Sequence, residues 1–216
     1  MTLTLVIGSK NYSSWSLRPW LAMKQFGLQF QEICIPLDTQ EFSSKIRQYS
    51  PSGKVPVLLH DTQTVWDSLA ICEYLAEEFP HMHWWSKDKA AKAFARSISA
   101  EMHSGFPNLR QNMPMNCRAT HPGKGMALGV QKDIDRITDM WRECRKKFGT
   151  NGNMLFGDFT IADAMFAPVA LRFVTYNVQL DAISQDYVKA ILSLPAIQEW
   201  IKAAETESEI ISNYEF

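Results

Sequence analysis

The chain has 216 residues, 46% of them hydrophobic, and its 22 basic and 23 acidic side chains leave a formal net charge of −1. A chain of this length makes one large domain or two small ones and buries a sizeable core, which excludes intrinsic disorder. The near-balanced, interleaved charge gives no broad drive toward nucleic acid or anionic lipid, so neither is an expected partner.

Met1 runs directly into Leu-Thr-Leu-Val-Ile, residues 3–7, which is apolar and β-branched and stops at Gly8. That reads as a short buried strand, with no signal peptide and no membrane span, and the cytoplasm is the expected location. Leu17, Trp20, Leu21 and Lys24 to Phe26 follow at helical spacing, closed by Gly27 as a C-cap. Phe30 to Ile35 is a second strand that ends at Pro36. Strand, helix and strand within so short a span require a parallel pair joined by a right-handed crossover. A short helix around Glu41–Tyr49 precedes the turn cluster Ser50-Pro51-Ser52-Gly53. Val55 to Leu59 and Thr64 to Trp66 form a hairpin about the polar turn Asp61-Thr62-Gln63. Ser68 to Phe79 is an amphipathic helix with Leu69, Cys72, Leu75, Ala76 and Phe79 on one face, so the first third reads β-α-β-α-β-β-α.

Beyond the linker Pro80 to Ser86 the strand signals stop. Lys87–Arg110 and Gly125–Phe148 are long helical patterns separated by His121-Pro122-Gly123, and three more helices fall at 160–174, 185–193 and 195–204. The expected division is an α/β domain over residues 1–80 and an all-helical domain over residues 87–216. His81 and His83 beside Trp84 and Trp85 read as linker packing rather than a metal site. The four cysteines, Cys34, Cys72, Cys117 and Cys144, are far apart, which argues for reduced thiols and against a disulfide framework or a bound metal.

Three segments carry candidate chemistry. Pro19 belongs near the start of its helix because it has no N–H to give, so the helix is expected to begin near Ser16, with Ser16 as its N-cap. Ser13 and Ser14 then lie just ahead of the positive end of the helix dipole, where hydroxyl and N–H groups stabilise an anion. A thiolate is the anion that fits, because one hydrogen bond to a charged acceptor is worth about 1.5–3 kcal/mol, or one to two pKa units. Ser13 and Ser14 as plain turn and capping residues remain the alternative; a serine nucleophile lacks its G-x-S-x-G elbow. Val55-Pro56, placed between a turn and a strand, leaves the Val55 backbone free for an extended peptide if the bond is cis. Asp67-Ser68 opens a helix, a place suited to a ligand carboxylate beside a carboxylate for an ammonium group.

In this order the pieces resemble the soluble glutathione transferases over nearly the whole chain. The resemblance rests on the Ser13-Ser14-Trp15-Ser16 loop, Lys54-Val55-Pro56, Asp67-Ser68-Leu69-Ala70-Ile71, and Gly157-Asp158-Phe159-Thr160-Ile161-Ala162-Asp163. It implies a thioredoxin-like N-terminal domain, an all-α C-terminal domain, glutathione as co-substrate and a homodimer. Ser13 would bond the glutathione sulfur, with Ser14 as the alternative. Val55 would bind the cysteinyl backbone across a cis-Pro56, Asp67 and Ser68 would hold the γ-glutamyl end, and Lys54 belongs to the same glutathione-binding set. The loop is most similar to that of the zeta class, which includes maleylacetoacetate isomerases, although that class has cysteine where Trp15 stands and the family usually has Glu or Gln where Asp67 stands.

The resemblance also implies a second substrate, a small electrophile, between the domains. Trp15, His103, Phe106 and Arg110 are the residues expected there, the last three sharing a face at spacings of three and four, with Arg110 favouring an acidic molecule. Transfer of the thiolate to that electrophile is the leading expectation. Glutathione-dependent isomerisation, peroxide reduction and a non-catalytic glutathione-binding or interaction module are the alternatives.

Overall fold

The computed structural model describes residues 2–216; Met1, with which the first expected domain begins, lies outside the described residues. The elements run β1 (Leu3–Gly8), α1 (Ser14–Gln25), β2 (Gln31–Ile35), α2 (Phe42–Ile46), β3 (Val57–His60), β4 (Gln63–Trp66) and α3 (Ser68–Glu78). The strands lie in the order β2-β1-β3-β4. β1 is parallel to β2, with Val6 opposite Ile33, and β3 is antiparallel to both β1 and β4. The rest is helical: α4 (Lys89–Ser104), α5 (Pro107–Asn112), α6 (Val130–Phe148), α7 (Ile161–Thr175), α8 (Ala182–Leu192) and α9 (Pro195–Glu205).

Strand periodicity divides the core. Leu5 and Ile7 face a large cluster with Leu17, Trp20, Ile71 and Leu75, while Val6 faces a small one with Ile35, Ile46 and Val57, as the pleat requires. The large cluster continues without a break into the helical domain through Trp84, Ile98, Trp141, Phe166 and Trp200. Trp20 of α1 meets Trp200 of α9 edge to face at 5.0 Å, and α1 also packs on α7. The two domains are therefore joined by a hydrophobic seam rather than hinged on a polar one, and the loop before α1 is held at their junction.

Helix α7 is buried along its length apart from Val174. Its first turn is closed by Asp163, fully buried, which accepts from the N–H groups of Leu155 (3.0 Å) and Thr160 (2.8 Å) and the hydroxyls of Thr160 (3.1 Å) and Tyr187 (3.2 Å). Burial pushes its carboxyl up to about 6, against the downward pull of these four bonds.

Two expectations are corrected. Helix α1 begins at Ser14 with Ser13 as N-cap, because the Ser13 hydroxyl, not that of Ser16, accepts a first-turn N–H, that of Ser16 at 3.3 Å. Ser16 Oγ instead accepts from Gly8 N–H at 3.0 Å, tying the helix to the end of β1. The pattern 87–110 is two helices rather than one. A side chain at Gly105 would meet the Glu101 carbonyl oxygen at 2.7 Å, and Pro107 cannot continue a helix but starts one well. Phe106 between them takes a left-handed conformation (φ 62°), which turns the chain out of α4 ahead of Pro107.

Candidate functional site

Two adjacent cavities lie at the domain junction. The first, about 380 Å³, is lined by Trp15, Ser52, Lys54, Val55, Pro56, Trp66, Asp67, Ser68 and His103. The Val55-Pro56 peptide bond is cis, and the Val55 N–H and C=O have no backbone partner among the described residues. At the start of α3 one Asp67 oxygen, Oδ1, accepts from the N–H groups of Leu69 (3.0 Å) and Ala70 (3.1 Å). The helix end therefore has fewer free donors than its position suggests. What remains is Ser68, whose hydroxyl is buried and has no partner, a costly state unless a ligand satisfies it. The other Asp67 oxygen, Oδ2, accepts from His103 Nε2 at 3.0 Å. Burial lowers the His103 pKa more than Asp67 raises it, so the ring is neutral at pH 7 and donates its single N–H to the carboxylate.

The second cavity, about 250 Å³, is lined by Tyr12, Ser13, Ser14, Trp15, Leu37, Val55, Arg110, Pro114, Met115, Arg172 and Tyr214. Ser14 Oγ accepts from Arg172 Nη2 at 3.2 Å, and Ser13 Oγ donates to Ser16 Oγ at 2.7 Å. Arg172 also holds the carbonyls of Met113 (2.8 Å) and Pro168 (3.2 Å). Arg110 holds the carbonyls of Gly105 (2.9 Å) and Met102, at the C-terminal end of α4. Neither arginine has a carboxylate partner among the described residues, and burial lowers both to about 10. A cavity with two such cations suits an anion.

Trp15 and Val55 line both cavities. The Trp15 indole lies 4.3 Å from the Arg18 guanidinium and 4.7 Å from that of Arg110, measured to the ring centroid, and the His103 ring meets it edge-on at 5.3 Å. Beneath it Arg18 is wholly buried, and its Nε, Nη1 and Nη2 have no hydrogen-bond partner. Burial, then the charges of Arg110 and Arg172, hold its pKa well below the ordinary arginine value.

The loop before α1 is clamped by the C-terminal segment. Glu207 accepts from the N–H groups of Lys10 (2.7 Å) and Asn11 (2.9 Å), and Glu215 from the Tyr12 hydroxyl (2.6 Å). Arg118 in turn holds the Glu209 carbonyl at 2.7 Å.

The sequence-derived residues thus gather at one junction with two changes. His103, expected on the co-substrate side, stands in the first cavity against Asp67. Phe106 lines neither cavity: the break at Gly105 takes it off the face of His103 and Arg110, and it is buried in the core. Arg18, Arg172, Tyr12 and Tyr214 are additions that no local pattern marked. Residues 12–78 match the glutathione S-transferase N-terminal domain family, and residues 117–203 match the glutathione S-transferase C-terminal domain family. A probable maleylacetoacetate isomerase of Caenorhabditis elegans is 30% identical over 170 residues, 77% of each chain. A maleylacetoacetate isomerase of Rattus norvegicus is 28% identical over 202 residues, 86% of this chain and 85% of that one. A glutathione transferase homolog from Burkholderia GL BGR1, solved with bound glutathione, superposes with a TM-score of 0.73 at 25% identity, covering 96% of this chain and 100% of that one.

Proposed function

The chain belongs to the glutathione S-transferase family, and on that premise we propose that it activates glutathione as a thiolate at Ser13 and delivers it to a small acidic electrophile. The observation that carries this reading is the meeting of the two cavities at Trp15 and Val55. One offers unpaired groups for a peptide, the other two serines and two arginines without carboxylate partners.

In this reading residues 1–80 build the glutathione side. The Val55 backbone pairs with the cysteinyl unit beside Lys54 and Pro56, Ser68 takes the γ-glutamyl carboxylate, and Asp67 the ammonium. His103, neutral at pH 7, leaves the Asp67 charge available. The sulfur then lies toward Ser13. Its hydroxyl turns from Ser16 Oγ to the sulfur while the Ser16 N–H keeps donating to it, and that bond accounts for one to two units of pKa lowering at about 1.5–3 kcal/mol. Ser14, held by Arg172, faces the electrophile instead. The thiolate attacks the electrophilic carbon, a sulfur–carbon bond forms, and the electron pair it displaces departs with a leaving group or is quenched by a proton. Arg110 and Arg172, from the helical residues 87–216, orient the substrate by its carboxylate.

The two isomerase relatives favour a second outcome at the same site. There the sulfur–carbon bond breaks again after rotation about a carbon–carbon bond, and glutathione leaves unchanged. We further propose a cytoplasmic homodimer: a reducing compartment keeps glutathione and the four free cysteines as thiols, and the half-exposed Trp66 on the edge strand β4 suits a covered face.

The test is glutathione-dependent turnover of paired electrophiles that differ by one carboxylate, with product analysis. The carboxylate-bearing member is expected to have kcat/KM about tenfold or more higher, as one charged hydrogen bond implies. A conjugate identifies transfer, and unconsumed glutathione identifies isomerisation. No glutathione-dependent turnover of either would overturn the reading.

A further inference from the structure

Arg18 is unlike every other cation in the molecule. It is completely buried, its three guanidinium nitrogens have no partner among the described residues, and no carboxylate forms an ion pair with it. Packing alone does not call for it: an apolar side chain of similar volume fills such a space without the cost of burying an uncompensated charge. Its charged surroundings make the placement harder to explain structurally, because Arg110 and Arg172 repel it and Asp67 is the carboxylate that favours its charge. Asp67 forms no ion pair with Arg18: its oxygens lie against the α3 N–H groups and His103. What Arg18 does touch is the indole of Trp15, at 4.3 Å, and Trp15 is the wall shared by the two cavities.

We propose that Arg18 is a positioning residue whose unneutralised charge, acting across the Trp15 indole, favours the thiolate form of bound glutathione. The inference rests on the thiolate reading above and adds the source of the field. A buried charge acts through a medium of low polarisability and is poorly screened by salt. At an effective dielectric constant of about 20, a unit charge about 10 Å away moves a pKa by about one unit. That is comparable to the lower end of what the Ser13 hydroxyl supplies. The indole keeps water off the guanidinium, so the charge is not dissipated before a ligand arrives. An unpartnered guanidinium is thus a stability cost retained for its effect on the site, and the two properties separate experimentally.

The test is the thiolate absorbance of glutathione bound to the full chain, titrated from about pH 5 to about pH 9 in the wild type, Arg18→Met and Ser13→Ala. Arg18→Met is expected to raise the bound thiol pKa by about one unit, a tenfold loss of thiolate below it. The unliganded variant is expected to melt at the wild-type temperature or above. A bound thiol pKa equal to that of the wild type, or a lowered melting temperature with no pKa change, would overturn the proposal and make Arg18 structural. If Arg18→Met does not fold, the wild type decides. Its bound thiol pKa should stay put between about 50 mM and about 1 M salt, and a climb toward that of free glutathione would assign the field to exposed charges. A band that Ser13→Ala shifts and Arg18→Met does not sinks Arg18 alone. No band in the wild type sinks the thiolate reading and Arg18 with it.

Discussion

Helices α3 and α7 begin alike and end up doing opposite things. Each has an aspartate in or just before its first turn that accepts backbone N–H groups, Asp67 in one and Asp163 in the other. At α7 every oxygen is sealed: Asp163 is fully buried and its four donors are all internal. At α3 the cap is open. Asp67 is held at φ 78°, a strained conformation for a residue with a side chain, and the neighbouring Ser68 hydroxyl is buried without a partner at a cavity wall. The same local chemistry, closed, holds the helical domain together. Left unfinished, it leaves a buried hydroxyl unpaired at a cavity wall, the place proposed above for the γ-glutamyl end.

That contrast sets the order of expected effects. Asp163→Ala removes the acceptor of four buried donors and should cost about 3–5 kcal/mol of folding stability in urea denaturation. A loss below about 1 kcal/mol would mean that the α7 start is not a structural keystone. Ser68→Ala should do the reverse. Stability should stay within about 0.5 kcal/mol because no internal bond is lost, while glutathione affinity by calorimetry falls about 10–100-fold, as for a lost charge-assisted bond. Unchanged affinity would close the α3 cradle as a binding site. The smallest effect is a pH signature. The folded pKa of Asp163, about 6, lies above the unfolded carboxyl value of about 3.9. Its contribution to stability is therefore full below about pH 4 and lost as the pH rises through about 6. The stability of the wild type relative to Asp163→Asn should fall over that window, and a gap that widens there would contradict the assignment.

The same two helix starts show what sequence can carry. Strand alternation and Gly and Pro punctuation are local, so the element order and the places of both helices are legible in the sequence. Cis Val55-Pro56 was legible as a possibility because its turn context is local too. Arg18 and Arg172 were not. In Ser16-Leu17-Arg18-Pro19 the arginine is an ordinary helix residue, and its isolation appears only once α3 and the Trp15 ring enclose it. Arg172 reaches Ser14 across 158 residues, and Glu207 reaches Asn11 across 196. Neither leaves a period or a spacing to read. The sequence places His103 on a helix face but not against Asp67, since helical periodicity gives a face and not the opposite wall. Phe106 leaves the expected face for a local reason: α4 ends at Ser104, and Pro107 starts a new helix.

The central claim is that this junction turns bound glutathione into a thiolate at Ser13. Ultraviolet difference titration of the wild-type complex, beside Ser13→Ala, tests it most directly. The account predicts a thiolate band in the wild type well below the thiol pKa of about 8.5, displaced upward by one to two units in the variant with glutathione still bound. A bound tripeptide without that band, or a band that Ser13→Ala leaves in place, would contradict it.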